Sequence, residues 1–198
     1  METKTILTYD RMAKEYDDET ADFWDKFPRT FIDKFAELAK NKVLDIGSGP
    51  GRDGILLEEK GLDVVCLDAS EQMVGLCKEK GMKAICGDFD RLPFEDNSFD
   101  GVWAYTSLLH VPKSKVLKPI EEIKRILKKG GVFGLGLIEG KTEEYRETLG
   151  VNAPRWFSFY TKQEIEKILE KYGFKIIYFE QLKPKSKNYL HFIAELIL

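Results

Sequence analysis

Short apolar runs alternate with helical patterns between residues 43 and 137, and no other feature of the sequence restricts the fold as strongly. The runs have the length and composition of strands that are covered on both faces, and they occupy residues 42–46, 62–67, 83–86, 101–104 and 132–138. Helical spacing fills the gaps; Ser70, for example, is suited to cap a helix that Gly81 ends. Strands that alternate with helices form a parallel sheet with helices on both faces. The sequence therefore predicts a doubly wound α/β domain.

The segments on either side of this alternation have other patterns. Residues 1–40 have a helical pattern in two pieces that are separated at Pro28. Near the other end, Thr161 and Glu164 form a capping box ahead of a helix, and residues 174–179 and 189–196 predict an antiparallel hairpin. We expect one domain over residues 1–198, with a helical extension at 1–40, a binding core at 41–138, and a helix and hairpin at 139–198. The sheet should contain about seven strands.

Composition excludes several other classes of protein. The chain has 198 residues, of which 43% are hydrophobic and 33% charged, and this balance is unlike that of a disordered chain. No apolar run approaches 18 residues, so no membrane span is expected, and no apolar stretch follows Met1 as in a secretory signal. Three cysteines at least nine positions apart predict neither disulfides nor a metal site. These features favour the cytoplasm, and a net charge of −3 makes nucleic acid an unexpected partner.

A glycine-rich loop between the first predicted strand and the first predicted helix is the main functional signal. It reads Asp45-Ile-Gly47-Ser48-Gly49-Pro-Gly51. Glycines let the backbone approach a ligand closely, and the N-terminus of the following helix attracts an anionic group. The dinucleotide fingerprint G-x-G-x-x-G needs a glycine at position 52, where this chain has Arg52. A nicotinamide-dependent oxidoreductase is therefore disfavoured as an alternative.

Acidic residues follow the next two predicted strands. Asp68 ends the second strand, where a carboxylate can accept hydrogen bonds from both hydroxyls of a ribose. Asp88 and Phe89 come directly after the third strand. Open α/β sheets bind ligands along the carboxyl edge of their strands, so these groups should face the same crevice as the glycine loop. A nucleoside ligand accounts for the glycine loop, Asp68 and Asp88 at three successive strand ends.

This pattern resembles the first motif of the class I S-adenosylmethionine-dependent methyltransferases, an acid followed by G-x-G-x-G. The resemblance implies S-adenosylmethionine as cofactor and S-adenosylhomocysteine as product. It places the loop around the methionine part, Asp68 on the ribose, Asp88 on the adenine amino group and Phe89 beside the adenine. The predicted cofactor-binding residues are Tyr16, Asp45, Gly47, Ser48, Gly49, Gly51, Asp68, Ala69, Met73, Asp88, Phe89, Ala104 and Tyr105.

Further segments are similar to the same family. Residues 88–100 resemble its link into strand four, and residues 122–131 resemble its helix before strand five. Residues 9–17 are similar to the Y-D-x-x-A-x-x-Y-D opening of a subgroup that includes quinone-biosynthesis methyltransferases. The resemblance covers roughly residues 9 to 138 by motif. A non-catalytic module that binds the nucleoside for a partner protein remains an alternative, because a fold alone does not establish activity.

The acceptor is expected to be a small molecule of unidentified class. The stretch after strand four, Ala104-Tyr-Thr-Ser107, does not match the N-P-P-Y motif of enzymes that methylate exocyclic base amines, and no cysteine follows Cys86 to serve as a nucleophile on cytosine. His110 is a candidate general base, or it lines the crevice and satisfies a backbone carbonyl. The aromatic run 156–160 either packs in the core or forms a wall of the acceptor pocket. No catalytic residue is assigned.

Two further expectations concern the N-terminal extension and the cysteines. Tyr9 and Tyr16 lie seven residues apart, which places both rings on one face of a continuous helix. We expect residues 5–30 to form a mobile lid whose tyrosines, together with Arg29, reach the methionine end of the cofactor. Cys66 and Cys86 fall in apolar strands and are expected to be buried.

Overall fold

The computed structural model describes residues 1–148, 153–184 and 187–197, and a seven-stranded sheet forms its centre. The strands of this sheet are β1 (Lys42–Ile46), β2 (Asp63–Asp68), β3 (Lys83–Cys86), β4 (Phe99–Tyr105), β5 (Leu127–Ile138), β8 (Phe174–Leu182) and β9 (Tyr189–Leu196). Their order is β3-β2-β1-β4-β5-β9-β8. The first five strands are parallel, and β9 pairs antiparallel with both β5 and β8. The predicted doubly wound sheet with its C-terminal hairpin is confirmed.

The strand order reverses beside β1, and this reversal positions the site. The chain leaves β1 for β2 on one side and later returns to β4 on the other side. The helices after β1 and after β4 therefore lie on opposite faces of the sheet. The connections that leave the carboxyl ends of β1 and β4 separate at this point and open a crevice between them.

Helices cover both faces of the sheet. They are α1 (Thr3–Arg11), α2 (Ala13–Thr20), α3 (Phe23–Lys26), α4 (Thr30–Leu38), α5 (Arg52–Glu59), α6 (Glu71–Glu79), α7 (Leu117–Ile126) and α8 (Lys162–Lys171). A short 3₁₀ turn spans Leu108–His110. The capping box predicted for α8 is confirmed, because the Thr161 side chain accepts from the Glu164 backbone N–H while Glu164 accepts in return from Thr161. None of the described helices has the length and apolar character needed to cross a membrane.

The alternation of side chains along each buried strand divides the core into two layers. In β4, Val102 and Ala104 point to the layer that contains α7, whereas Trp103 and Tyr105 point to the layer that contains α4 and α5. All four side chains are buried. Apolar residues on both faces of a strand are typical of a parallel sheet that is covered by helices on both sides.

The N-terminal extension differs from the prediction of two helical pieces, since it contains four short helices. The chain breaks between α1 and α2 at Met12, whose φ of −109° and ψ of 19° are not helical. Tyr9 and Tyr16 therefore belong to different helices. Their rings still meet edge to face, with centroids 5.3 Å apart.

Other parts of the sequence prediction also need correction. Strand β5 begins at Leu127, ahead of the two glycines at 130 and 131 where the sequence predicts a turn. A second antiparallel sheet is formed by β6 (Glu143–Glu147) and β7 (Pro154–Ser158). Its first strand is charged and fully exposed, so it shows no apolar alternation that would predict it. Cys66 is buried as expected, but Cys86 is exposed because β3 is an edge strand.

Candidate active site

A cleft of about 590 Å³ lies at the carboxyl ends of β1, β2 and β4, beneath α1 and α2. This volume includes the open mouth of the cleft. Nine of the thirteen predicted site residues line it: Tyr16, Asp45, Gly47, Ser48, Gly49, Asp68, Met73, Phe89 and Tyr105. The structure thus brings together residues from five separate segments of the chain. Their roles toward a cofactor remain predictions.

The loop after β1 forms one side of this cleft from backbone atoms. The backbone N–H groups of Gly47 and Ser48 both donate to the Leu67 carbonyl oxygen, at 2.7 and 3.1 Å, which fixes the loop to β2. Gly47 and Gly49 adopt φ values of 67° and 55°, in the left-handed region that favours glycine. A Cβ atom on Gly47 would lie 2.3 Å from the Ser107 Cβ atom. The loop therefore has no room for a side chain at this position.

Asp68 lies at the end of β2, next to this loop. Its Oδ2 atom accepts from the Gly49 N–H and its Oδ1 atom from the Ser70 N–H, both at 2.9 Å. The side chain is buried, and burial raises the pKa of Asp68 to about 6, although the surrounding backbone N–H groups favour the charged form. Each carboxylate oxygen retains a further lone pair. Asp68 can thus accept hydrogen bonds from hydroxyl groups of a ligand in the cleft.

Two buried polar atoms that line the cleft have no hydrogen-bond partner among the described residues. They are Oδ2 of Asp45 and Oγ of Ser48. Burial and the neighbouring charge of Asp53 raise the pKa of Asp45 well above its usual range. Buried polar groups are almost always hydrogen-bonded, so unpaired ones at a cleft suit a polar ligand. The glycine loop with these two atoms matches the donor and acceptor set that an amino-acid-bearing nucleoside needs.

Asp53 and Arg52, which sequence reasoning did not select, also line the cleft. Oδ1 of Asp53 accepts from the Trp24 indole N–H and from the Arg52 Nε–H, both at 2.7 Å. Its Oδ2 atom accepts from the Trp103 indole N–H at 3.0 Å. The position of Arg52 and Asp53 just after the glycine loop is visible in the sequence. The two tryptophans that need an acceptor come from distant segments, so this cluster had no local signal.

Four predicted residues lie outside the cleft. Gly51 has a φ of 84°, and a Cβ there would lie 2.7 Å from the Cys77 Sγ atom, so this glycine serves close packing against α6. Ala104 points to the opposite layer of the core. Ala69 lies just beyond Asp68, and its carbonyl oxygen faces the Cys86 Sγ atom at 3.8 Å. Asp88 accepts from the N-terminal amine of Met1, at 3.1 Å from Oδ1.

His110, Tyr9 and Arg155 form a hydrogen-bonded network at the other side of the cleft. His110 Nδ1 lies 2.5 Å from the Trp156 carbonyl oxygen, so this nitrogen carries the proton and donates. His110 Nε2 then accepts from the Tyr9 hydroxyl at 2.8 Å, and Tyr9 accepts from Nη1 of Arg155 at 2.7 Å. Burial, together with the charge of Arg155, lowers the pKa of His110 to about 3. His110 is a neutral acceptor whose free lone pair is engaged by Tyr9.

The remaining sequence expectations have different outcomes. Arg29 does not reach the cleft; its guanidinium pairs with Asp25 at 2.8 Å and donates to the Trp24 carbonyl oxygen. No residue of the aromatic run 156–160 lines the cleft, and Phe157 and Tyr160 belong to the hydrophobic core. Of the two alternatives for this run, the structure favours packing. Its backbone contributes to the site instead, through the Trp156 carbonyl oxygen.

A doubly wound sheet with a glycine loop after β1 and a carboxylate at the end of β2 defines a nucleoside-binding α/β protein. Comparison with known proteins extends this assignment, because a family described as "Methyltransferase domain" matches residues 44–135. The chain is 29% identical over 177 residues to a malonyl-[acyl-carrier protein] O-methyltransferase of Herminiimonas arsenicoxydans, covering 87% of this chain and 66% of that protein. It is 36% identical over 108 residues to a demethylmenaquinone methyltransferase of Renibacterium salmoninarum, covering 54% and 45%.

Solved structures share the fold. The DhpI–SAH complex superimposes with a TM-score of 0.80 at 21% identity and covers 98% of this chain and 96% of that one. Residues 44–135 match a methyltransferase domain, and the resemblance to the S-adenosylmethionine-dependent methyltransferases drawn from the glycine motif is confirmed. The chain spans less than two thirds of the length of each of the two curated relatives.

Proposed function

We propose that this protein transfers a methyl group from S-adenosylmethionine to a small-molecule acceptor. One observation carries the proposal: the glycine loop, Asp68 and the unpartnered atoms of Asp45 and Ser48 all face the same cleft. Location in the cytoplasm and the absence of nucleic acid as a partner stay predictions from the sequence.

The described residues fit the cofactor. The backbone of Gly47 and Gly49 would pass beside its methionine part, with the free Oδ2 of Asp45 and Oγ of Ser48 available to polar groups there. Asp68 would accept hydrogen bonds from the ribose hydroxyls, and Phe89 would flank the adenine. S-adenosylmethionine supplies an electrophilic methyl group on a sulfonium. The acidic side chains that surround the loop favour such a cation.

The contribution of the protein to methyl transfer is mainly alignment. A direct displacement gains most of its acceleration when acceptor and methyl group are held in line, and it needs no acid or base on the enzyme. Tyr16 covers the cleft next to the loop, and Tyr9 and His110 line its far side. His110 is a poor proton acceptor, because burial and Arg155 lower its pKa to about 3 and its Nε2 lone pair already accepts from Tyr9, so no base is assigned to an acceptor that must lose a proton.

Transfer of a labelled methyl group tests this proposal. The protein is incubated with S-adenosylmethionine carrying a labelled methyl and with a fractionated metabolite extract, and labelled small molecules are identified by mass spectrometry. We expect a labelled product with the wild type and with the control variant Asp63→Ala, which alters the exposed start of β2. Asp68→Ala should lose most of the product. Binding of S-adenosylhomocysteine without any labelled product would favour the non-catalytic module.

The N-terminal helices are proposed to act as the lid of this site. In the structure several hydrogen bonds hold α1 over the cleft, and besides those of Tyr9 they include Asp10 accepting from Ser70, Thr8 donating to the Pro154 carbonyl oxygen, and Thr5 accepting from the Trp156 N–H. Hydrogen exchange with and without S-adenosylhomocysteine measures whether these contacts open. We expect slower exchange in α1 and α2 with ligand and no change in α8, which packs on β8. Equal exchange of α1 and α2 in both states would contradict a lid.

A further inference from the structure

Arg155 in β7 is a buried cation that has no acidic partner among the described residues. It is 8% exposed, its Nη1 donates to the Tyr9 hydroxyl, its Nη2 donates to Thr148 Oγ1, and its Nε has no partner among the described residues. By contrast, ion pairs with carboxylates are formed by Arg29, Arg52, Arg125 and Arg146. Residues 149–152, which the structure does not describe, are Leu-Gly-Val-Asn and supply no side-chain carboxylate.

Such an arrangement is unusual, because a buried charge costs free energy unless it is paired. The guanidinium instead lies over neutral rings, with its carbon 5.2 Å from the centre of Tyr9 and 5.3 Å from that of Phe157. Lys187 is a second cation in the same positive field. Burial, together with the charges of Arg155 and Arg146, lowers the pKa of Lys187. The positive potential around Arg155 therefore remains available to an anion.

The position of Arg155 separates it from the glycine loop. Tyr16 lies against the loop, since a Cβ on Gly49 would be 3.7 Å from its ring, and Tyr9 packs on Tyr16. Arg155 follows on the far side of Tyr9. The loop side of the cleft carries the acids Asp45 and Asp68 and the paired Arg52 and Asp53, whereas Arg155, which forms no ion pair with the described residues, lies beyond the two tyrosines. The side next to Arg155 is where the acceptor, and not the cofactor, would be bound.

We propose that the free N–H donors of Arg155 bind a carboxylate of the methyl acceptor, so that the acceptor is a small carboxylic acid. The inference rests on the proposed function and names the acceptor class of that site. A guanidinium has five N–H donors, of which Tyr9 and Thr148 take two, and a planar carboxylate matches the donors that remain. The ring faces of Tyr9, Tyr16 and His110 suit an acceptor with a flat apolar body.

Benzoate and benzamide test this proposal, because they have nearly the same shape and differ in charge. Each is titrated into protein saturated with S-adenosylhomocysteine, and binding is followed by ligand-observed NMR. We expect saturable binding of benzoate and at least about tenfold weaker binding of benzamide, as for the loss of a charge-assisted contact. Arg155→Met should abolish this preference, while the matched control Arg146→Met, an exposed arginine of β6, should keep it.

Arg155→Lys, which keeps the charge, should retain part of the preference for benzoate over benzamide. If Arg155→Met does not fold, the comparison of the two probes in the wild type still tests the inference. Equal binding of the two probes by the wild type, no saturable benzoate binding, or an unchanged preference in folded Arg155→Met would each overturn the inference.

The methionine part of the cofactor also has a carboxylate that a guanidinium can bind. A separate titration distinguishes this carboxylate from that of the acceptor. Calorimetry compares S-adenosylhomocysteine with 5′-methylthioadenosine, which lacks the amino acid. If Arg155 binds the acceptor, Arg155→Met should change neither affinity by more than about twofold. A selective loss of affinity for S-adenosylhomocysteine in this variant would assign Arg155 to the cofactor and overturn the inference. Failure of the wild type to bind S-adenosylhomocysteine would instead remove the proposed function itself.

Discussion

The glycine-loop side of the cleft is made largely of backbone atoms and short-range contacts, whereas the opposite side is made of side chains that lie far apart in sequence. Gly49 and Asp68, which hydrogen-bond to each other, are separated by 19 positions. Tyr9 is separated from His110 by 101 positions and from Arg155 by 146. The first side follows from one strand–loop–helix unit and its neighbouring strand. The second side exists only when the N-terminal helix, the turn after β4 and β7 pack together.

This difference predicts how each side responds to change. The loop side has no room for a side chain at Gly47 and is proposed to bind the cofactor, so substitutions there should affect binding and stability together. The Tyr9 side contains a hydrogen-bond network that can lose one member without blocking the loop. Substitutions there should affect stability and acceptor binding, and leave the affinity for S-adenosylhomocysteine nearly unchanged.

The largest effect is expected from Gly47→Ala. The new methyl would clash with Ser107 at a backbone φ of 67°, so the free energy of unfolding should fall by about 3 kcal/mol. S-adenosylhomocysteine binding should be lost in calorimetry. Gly75→Ala in α6 is the control, because no atom lies within 4 Å of its added Cβ, and it should be neutral or slightly stabilising. Wild-type affinity in Gly47→Ala would show that the loop is not close to the ligand.

Asp68→Ala should come next. Removing a buried carboxylate that accepts hydrogen bonds from the ligand should weaken S-adenosylhomocysteine binding by about 1.5–3 kcal/mol in calorimetry. Asp63→Ala, at the exposed start of the same strand, should bind as the wild type does. Equal losses in both variants would mean that the effect comes from β2 as a whole.

Tyr9→Phe tests the other side of the cleft. It leaves Nη1 of Arg155 and Nε2 of His110 without their partner, which should lower the free energy of unfolding by about 1–2 kcal/mol in chemical denaturation. The affinity for S-adenosylhomocysteine should stay within about twofold. The control Tyr145→Phe removes an exposed hydroxyl and should change stability by less than about 0.5 kcal/mol. A large loss of cofactor affinity in Tyr9→Phe would remove the distinction between the two sides.

A smaller effect is expected from pH. Asp68 has a pKa of about 6 in the free protein, where it faces the N–H groups of Gly49 and Ser70 and the charge of Asp10. Ligand hydroxyls favour the ionised carboxylate, so a protonated Asp68 must lose its proton before it binds. Affinity for S-adenosylhomocysteine should therefore fall about tenfold between pH 7 and pH 5. Asp68→Asn should remove this dependence; a pH profile unchanged in Asp68→Asn would assign the titration to another group, such as Asp45.

The same difference between the two sides explains what the sequence predicts well. The parallel strands and the loop after β1 were predictable because apolar runs and glycines are local signals, and Asp68 follows from its place at the end of a strand. Ala104 and Tyr105 show the limit of such reasoning. Both were predicted to line the site, yet successive residues of a strand point to opposite faces, and only Tyr105 reaches the cleft.

Features that depend on tertiary packing left no local signal. Strand β6 has the sequence Glu-Glu-Tyr-Arg-Glu and is stabilised by pairing with β7, not by an apolar face. The break at Met12 could not be predicted, because Tyr9 and Tyr16 have the spacing of one continuous helix. Arg155 had no neighbouring motif at all, and its contact with Tyr9 becomes visible only in the folded chain.

Calorimetric titration of S-adenosylhomocysteine into the wild-type protein, with NADH titrated in parallel, tests the central claim most directly. A cleft formed by the glycine loop and Asp68 predicts saturable one-to-one binding of S-adenosylhomocysteine and no binding of NADH. Binding of NADH alone would contradict the claim and return the protein to the oxidoreductases. Binding of neither ligand would contradict it as well, because a folded loop and an accessible Asp68 are all that the claim requires.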